Sequence, residues 1–189
     1  MPSKFKIQQT PLEKHTAFFD TDGDGIIWPL DTFAGCRAIG FNLLTAALSA
    51  IIIHSGLSYV VWATMRFPDP LFRLRVDKME KAMHGSDSTS YTAQGDFDET
   101  RFDHTFELYT QPPHTSMSFG EVITMLNGQR NAYDFFGSFA ALFEWLAMYL
   151  LLWPADGLMK KEDIRAIYDG SLFYTLAQSQ NGSKSKNNE

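Results

Sequence analysis

The sequence predicts a mainly α fold: an EF-hand-like helical domain with an apolar segment suited to a membrane or lipid interface. Three observations carry this expectation. Asp20–Asp31 reads DTDGDGIIWPLD, alternating carboxylates followed by a glycine where a calcium loop must turn sharply. Ala38–Met65 runs for 28 residues without a charge. Elsewhere the apolar spacing is helical and is broken by Pro and Gly. A chain of 189 residues that is 44% hydrophobic can bury one core, so a single domain is expected over 11–174. Residues 1–10 read as a flexible N-terminus, and the polar 175–189 as a disordered tail.

Composition excludes several classes of function. Sixteen Lys and Arg stand against 22 Asp and Glu, a net charge of −6, with no basic stripe to neutralise phosphates. No nucleic-acid partner is therefore expected. The single cysteine, Cys36, rules out an internal disulfide framework and a cysteine-rich zinc site. MPSKFKIQQT lacks the apolar core of a secretory signal, so the chain reads as not secreted.

In chain order, Pro11–Phe19 is a short helix with Leu12, His15, Thr16 and Phe19 on one face. In the loop that follows, Asp20, Asp22 and Asp24 take positions 1, 3 and 5 around a hard cation, and Gly25 takes position 6. Ile26 offers its backbone carbonyl at position 7, and Ile27 fills the apolar pairing position 8. Asp31 replaces the usual bidentate Glu at position 12; its shorter arm weakens the preference for Ca²⁺ over Mg²⁺.

Residues 38–65 are long enough to cross a bilayer, but Asn42, Thr45, Ser49, His54, Ser55 and Ser58 interrupt them, and Gly56 divides them. Insertion into a monolayer or interface is the first reading, with a buried core helix or a true span as alternatives. After the prolines Pro68 and Pro70, residues 66–83 read as a break followed by a basic amphipathic helix over Leu71–Met83. Phe72, Val76, Met79 and Met83 form its apolar face, and Arg73, Arg75, Lys78 and Lys81 its cations. That helix suits an anionic lipid surface, or equally a protein core.

His84–Gly95 is loop and Phe97–Tyr109 helix; Ser118 and Glu121 form a capping box. Phe135–Ala155 holds one charge, Glu144, and reads as the central core helix, or else as a second interfacial element. Leu152–Asp163 has Asp156, Gly157 and Asp163 at loop positions 5, 6 and 12 but no ligands at 1 and 3, so it is at best a metal-free structural mate of the calcium loop. Of His15, His54, His84, His104 and His114, no pair has zinc spacing and none falls in a nucleophilic triad order. Spacing alone leaves each of them structural or on the surface.

Several collinear blocks add a resemblance. His15-Thr-Ala-Phe-Phe-Asp20 with its loop into Trp28-Pro29, Gly35-Cys-Arg37 to Asn42, Lys81-Ala-Met-His84-Gly-Ser-Asp-Ser88, Asp134-Phe-Phe-Gly137, Glu144-Trp145 and Asp169-Gly-Ser-Leu-Phe173 resemble the caleosins, or caleosin-type peroxygenases, over about residues 11–174. The short N-terminus makes it look like a compact, fungal-type member. The reduced proline knot and Ser138, where many members carry Trp, depart from the pattern.

The resemblance implies a Ca²⁺-dependent haem b peroxygenase that uses a fatty-acid hydroperoxide to epoxidise or hydroxylate an unsaturated acceptor without NADPH. It implies His15 as the axial haem ligand and His84 as the second haem-associated histidine, either a ligand or an acid–base group. The calcium would be held by Asp20, Asp22, Asp24, Ile26 and Asp31. It further implies residence on a lipid droplet monolayer or an endoplasmic-reticulum-type membrane, on the cytosolic face, and homo-oligomerisation is compatible with it. The alternative function is a non-enzymatic Ca²⁺-binding droplet coat protein. A soluble EF-hand sensor is disfavoured by the uncharged stretch.

Overall fold

The computed structural model describes residues 9–62 and 69–186. Helix α1 (Pro11–Ala17) starts where Thr10 and Glu13 cap each other reciprocally, with Pro11 at the first helical position. The acidic loop leads through β1 (Ile26–Ile27) into α2 (Pro29–Ala38). Gly40, at φ +113°, turns the chain, and Asn42 caps α3 (Leu43–Val61). Strand β2 (Leu74–Arg75) runs directly into a 3₁₀ helix (Val76–Ala82). Then follow α4 (Glu99–Tyr109), β3 (Ser116–Ser118), α5 (Phe119–Gln129), α6 (Phe135–Leu152), β4 (Leu158–Lys160), α7 (Lys161–Tyr168) and α8 (Ser171–Lys186). The Ser118–Glu121 capping box forms as the sequence predicts.

The mainly helical expectation holds, and the strands reveal its plan. β1 pairs antiparallel with β2, Ile27 opposite Leu74, and β3 pairs with β4, Met117 opposite Met159. All four of those side chains are buried. In each case a helix precedes the strand and another begins within two residues after it. The described residues thus form four helix–loop–helix units in two pairs, each pair clasped through the residue at loop position 8.

In the first pair, Leu12, Ile27, Val61, Leu74, Val76 and Met79 form the core. In the second, Phe102, Phe106, Met117, Val122, Met125, Trp145, Met159, Ile164 and Tyr168 do. Ile39, Ile167 and Phe173 form a third cluster that bridges the pairs. Among the described residues only the first loop gathers a set of carboxylates. In the second, Asp69 is consumed by Arg73, which donates to it from Nε, Nη2 and the backbone amide.

Five expectations change. The stretch Leu71–Met83 is not an amphipathic α-helix, because β1 captures Leu74 and Arg75 as a strand and leaves room for only the 3₁₀ turns after it. Pro68 lies outside the described residues. Leu152–Asp163 does form a helix–loop–helix, but its strand mates with Ser116–Ser118 rather than with the calcium loop. The expected disordered tail continues α8 as far as Lys186, because Phe173 is buried and Leu172 and Leu176 pack on the Ile39–Ile167 cluster. Gly56 does not divide the apolar segment; it sits inside a continuous α3.

The fifth change concerns α6, which is a core helix on one face only, where Trp145 joins the second core. Phe135, Phe136, Phe139, Leu142, Leu146 and Leu150 are exposed, while Gly137, Ala140 and Ala141 face inward. Helix α3 is inverted in the same sense: Ala46, Ser49, Ala50, His54 and Ser58 are buried, and Leu44, Leu48, Ile51 and Tyr59 are exposed. Burying a large apolar side chain is favourable by about 1.5–3 kcal/mol, so two such faces left in water are a large unrealised gain. Both helices are long and apolar enough to cross a membrane.

Candidate active site

Between the two pairs lies a cavity of about 690 Å³, in the size range of small-molecule sites. The predicted face of Pro11–Phe19 builds one wall: Leu12, His15 and Thr16 from α1, and Phe19 from the turn just after it, all line the cavity. His84, Asp87, Ser88, Ser90 and Tyr91 come from the loop after the 3₁₀ helix, and Glu144, Trp145 and Tyr168 from α6 and α7. The structure therefore brings His15 and His84, 69 positions apart in the chain, to one cavity.

His15 is held from behind. Its Nδ1 lies 2.6 Å from the Ile167 carbonyl, which makes Nδ1 the protonated nitrogen and leaves the Nε2 lone pair free. Phe173 packs edge-on against the ring at 5.0 Å. Burial holds the imidazole below its ordinary pKa, so it is neutral and able to bind a metal.

The approach of α1 to the α7–α8 turn depends on Gly170. Its φ is +77°, and a Cβ there would lie 2.8 Å from the His15 Cα. Gly170→Ala should therefore combine about 1–2 kcal/mol of left-handed backbone strain with about 1–3 kcal/mol of overpacking. The melting temperature should fall by roughly 5–15 °C. A thermal melt within a degree of wild type would show that α1 does not need this contact.

His84 is held differently. Its Nε2 sits 3.9 Å from a Glu144 carboxylate oxygen, an ion-pair distance, and its Nδ1 is buried with no hydrogen-bond partner. Burial alone would lower its pKa, but Glu144, with Asp87 and Asp134, outweighs it and holds the imidazole above its ordinary value. The loop is fixed through Ser86, which donates to Asp134 and accepts from the Asn131 amide. Asp134 also caps α6 through the Gly137 amide, so this residue links the His84 loop to the helix that carries Glu144. Ser88 lies 2.5 Å from the Tyr168 hydroxyl, whose pKa burial pushes up to about 12.

His54 is structural, as spacing predicts: its ring nitrogens meet Thr32 Oγ1 at 2.7 Å and the Phe72 carbonyl at 2.5 Å. His114 lies on the Phe106 carbonyl and Thr110, and the His104 side chain is exposed.

In the calcium loop the carboxylates of Asp20, Asp22 and Asp24 converge, with ligand oxygens within 4.8 Å of one another. Asp20 accepts from the amides of Gly23 and Gly25, and Asp24 from the amide of Ile26, folding the loop inward. Asp31 stands outside that group; its Oδ2 accepts from the Trp28 amide at 2.9 Å and starts α2. The donor set, hard carboxylates on a turn, fits Ca²⁺ or Mg²⁺. The cavity also fits a haem-sized group, on the free Nε2 of His15 and the orphaned Nδ1 of His84.

Residue spacing did not single out Asp87, Tyr91, Glu144 or Tyr168, although Asp87 and Glu144 fall within the blocks quoted above. The one sequence signal among them is at Glu144, a lone charge in apolar surroundings.

A family profile described as caleosin related protein matches residues 7–177. The chain is 38% identical over 165 residues to a peroxygenase of Lilium longiflorum, covering 87% of this chain and 69% of that protein. It is 32% identical over 183 residues to probable peroxygenase 4 of Arabidopsis thaliana, covering 93% and 89%. A probable inactive peroxygenase-like protein of the same plant is 28% identical over 154 residues, covering 80% and 72%. No solved structure matches. With a profile match over nearly the whole chain and the blocks quoted above gathered around one cavity and one acidic loop, the chain belongs to the caleosin family.

Proposed function

We propose that the protein is a Ca²⁺-dependent haem peroxygenase working at a lipid droplet monolayer or an endoplasmic-reticulum-type membrane, on its cytosolic face. It takes oxygen from a fatty-acid hydroperoxide and gives it to an unsaturated lipid or related acceptor. One observation carries this reading: two histidines of opposite electrostatic character share one apolar cavity. The two plant relatives named as peroxygenase support it.

His15 would hold haem through Nε2 and His84 would stand beside it. Haem, when bound, supplies cleavage of the peroxide O–O bond and oxygen transfer to an alkene or sulfur. The Ile167 carbonyl orients His15 and strengthens it as a ligand. Neutral His84 would take the proton from the terminal oxygen of the hydroperoxide and return it to the carbon-bound oxygen, which departs as the alcohol. Glu144 stabilises the imidazolium that exists between those two transfers. The apolar walls from α3 and α6 exclude water.

Because His84 must begin neutral, kcat/KM should fall as pH drops through its pKa, which lies above the ordinary 6.5. Glu144→Gln removes the main group raising that pKa, so the acid limb should move to lower pH. An unshifted limb would remove Glu144 from this role.

The experiment that tests the whole reading is an absorption spectrum of the detergent-purified protein, with a haem assay and hydroperoxide-dependent epoxidation of oleate. A haem band with turnover is expected. A protein that stays colourless after haem and Ca²⁺ are supplied would favour the droplet coat reading, for which the exposed faces of α3 and α6 alone suffice.

A further inference from the structure

The cavity wall is thin on one side. Among the lining residues, the exposed ones are Ser55 on α3 and Phe136, Phe139 and Glu144 on α6. Ile52, Ser55 and Gly56 make one lip of an opening; Phe136, Phe139 and Phe143 make the other. Among the described residues α3 and α6 do not pack along their lengths, and they meet at Gly56 and Phe136. A Cβ on Gly56 would lie 3.1 Å from two ring atoms of Phe136. Outside the lips stand Leu48 and Ile51 on α3 and Leu142 and Leu146 on α6, all exposed. An opening rimmed by apolar side chains on both flanks faces a lipid phase rather than water.

Charge sets what passes through. Asp87 and Glu144 line the cavity, and no Lys or Arg does among the described residues. A carboxylate head drawn inside would be desolvated beside two acidic groups with no Lys or Arg to meet it, and His84 is already turned to Glu144. An uncharged acyl mid-chain meets no such penalty.

We infer that a long acyl chain enters this cavity sideways from a lipid phase, through the slot between α3 and α6 over Gly56 and Phe136, with its mid-chain inside and its polar head outside. The inference rests on the cavity being the reaction site. It gives that site an entry route and an orientation: the reacting carbons of the acyl lipid lie away from the head and are delivered without crossing water. Gly56 is the residue that keeps the slot passable, since any side chain there presses on Phe136.

Photo-crosslinking of the full chain in phosphatidylcholine vesicles tests this without turnover. Two fatty-acid probes are compared, one with a diazirine in mid-chain and one with it next to the carboxylate, and labelled residues are mapped by mass spectrometry. The mid-chain probe should label interior residues such as Trp145 and Met148, and the head-proximal probe only the rim at Ser55 and Phe136. Gly56→Leu should lower interior labelling about tenfold, a change of about 1.4 kcal/mol, while labelling of Leu142 and Leu146 on the outer face persists. Persistent outer labelling shows that the variant still folds onto the vesicle, and Phe136→Ala, which widens the slot, should raise interior labelling.

Interior labelling that ignores both substitutions, or that is equal for the two probes, would overturn the inference. A protein that labels as expected yet has no hydroperoxide-dependent turnover would overturn the peroxygenase reading and leave this one standing.

Discussion

Replacing His15 with alanine should abolish the haem absorption band and hydroperoxide-dependent turnover together, with little change in helical content. Alanine is the best helix former, so α1 loses nothing in backbone propensity, and the Thr10–Glu13 capping box is untouched. What disappears is the one imidazole whose Nδ1 is already tied to a carbonyl and whose Nε2 faces the cavity. Loss of groups that merely orient a metal ligand weakens sites by about 10–100-fold, and loss of the ligand itself should exceed that. Imidazole added to His15→Ala should restore part of the band, because the substitution leaves a ring-sized hole against Phe173. His84→Ala should behave in the opposite way, keeping the band and losing turnover by about 10²–10⁴-fold, the range for a positioned acid–base group. A band that survives in His15→Ala and vanishes in His84→Ala would exchange the two roles.

The parts of this arrangement differ in how legible they were, for physical reasons. The calcium loop could be read because metal geometry dictates residue type at fixed spacing, and Asp20, Asp22 and Asp24 do converge. The helix face of α1 could be read because 3.6-residue periodicity put Leu12, His15, Thr16 and Phe19 together, and they share the cavity wall. Of the other three helix–loop–helix units, the one at Leu152–Asp163 was legible through Asp156, Gly157 and Asp163. The two in between were hidden, since without a set of ligand carboxylates little remains of the motif there but one buried apolar residue per loop, Leu74 and Met117. Local propensity misled at Leu71–Met83, where helical spacing lost to a tertiary strand pairing with Ile26–Ile27. Composition misled at α6, because hydrophobicity alone does not say which side faces inward. The small residues Gly137, Ala140 and Ala141 do, by allowing close approach while Phe135, Leu142, Leu146 and Leu150 stay exposed. The pairing of His84 with Glu144 had no signal in spacing at all, since 60 residues separate them.

Calcium should control both histidines, and substituting Asp20 and Asp24 with asparagine together should show it. Asp20 lies five residues after His15, and its carboxylate gathers the amides of Gly23 and Gly25 just beyond the end of α1. From the other end of the loop, β1 grips β2, β2 runs into the 3₁₀ helix Val76–Ala82, and His84 follows two residues later. One ion therefore braces the elements that carry the two cavity histidines. Without a cation, three carboxylates within 4.8 Å repel one another and loosen that brace. Calcium at about a hundredfold above its dissociation constant should stabilise the wild type by about 2.7 kcal/mol. For a chain of this size that corresponds to roughly 5–11 °C in melting temperature. The Asp20→Asn, Asp24→Asn variant should show no such shift, and in calcium-free buffer it should melt no lower than the wild type, because the repulsion is gone. It should also hold less haem than the wild type at saturating calcium, the readout that separates a brace on the site from a brace on the fold alone. If haem occupancy of the wild type is the same with calcium and with chelator, while the melting temperature still responds, the ion stabilises the first helix pair without reaching the histidines.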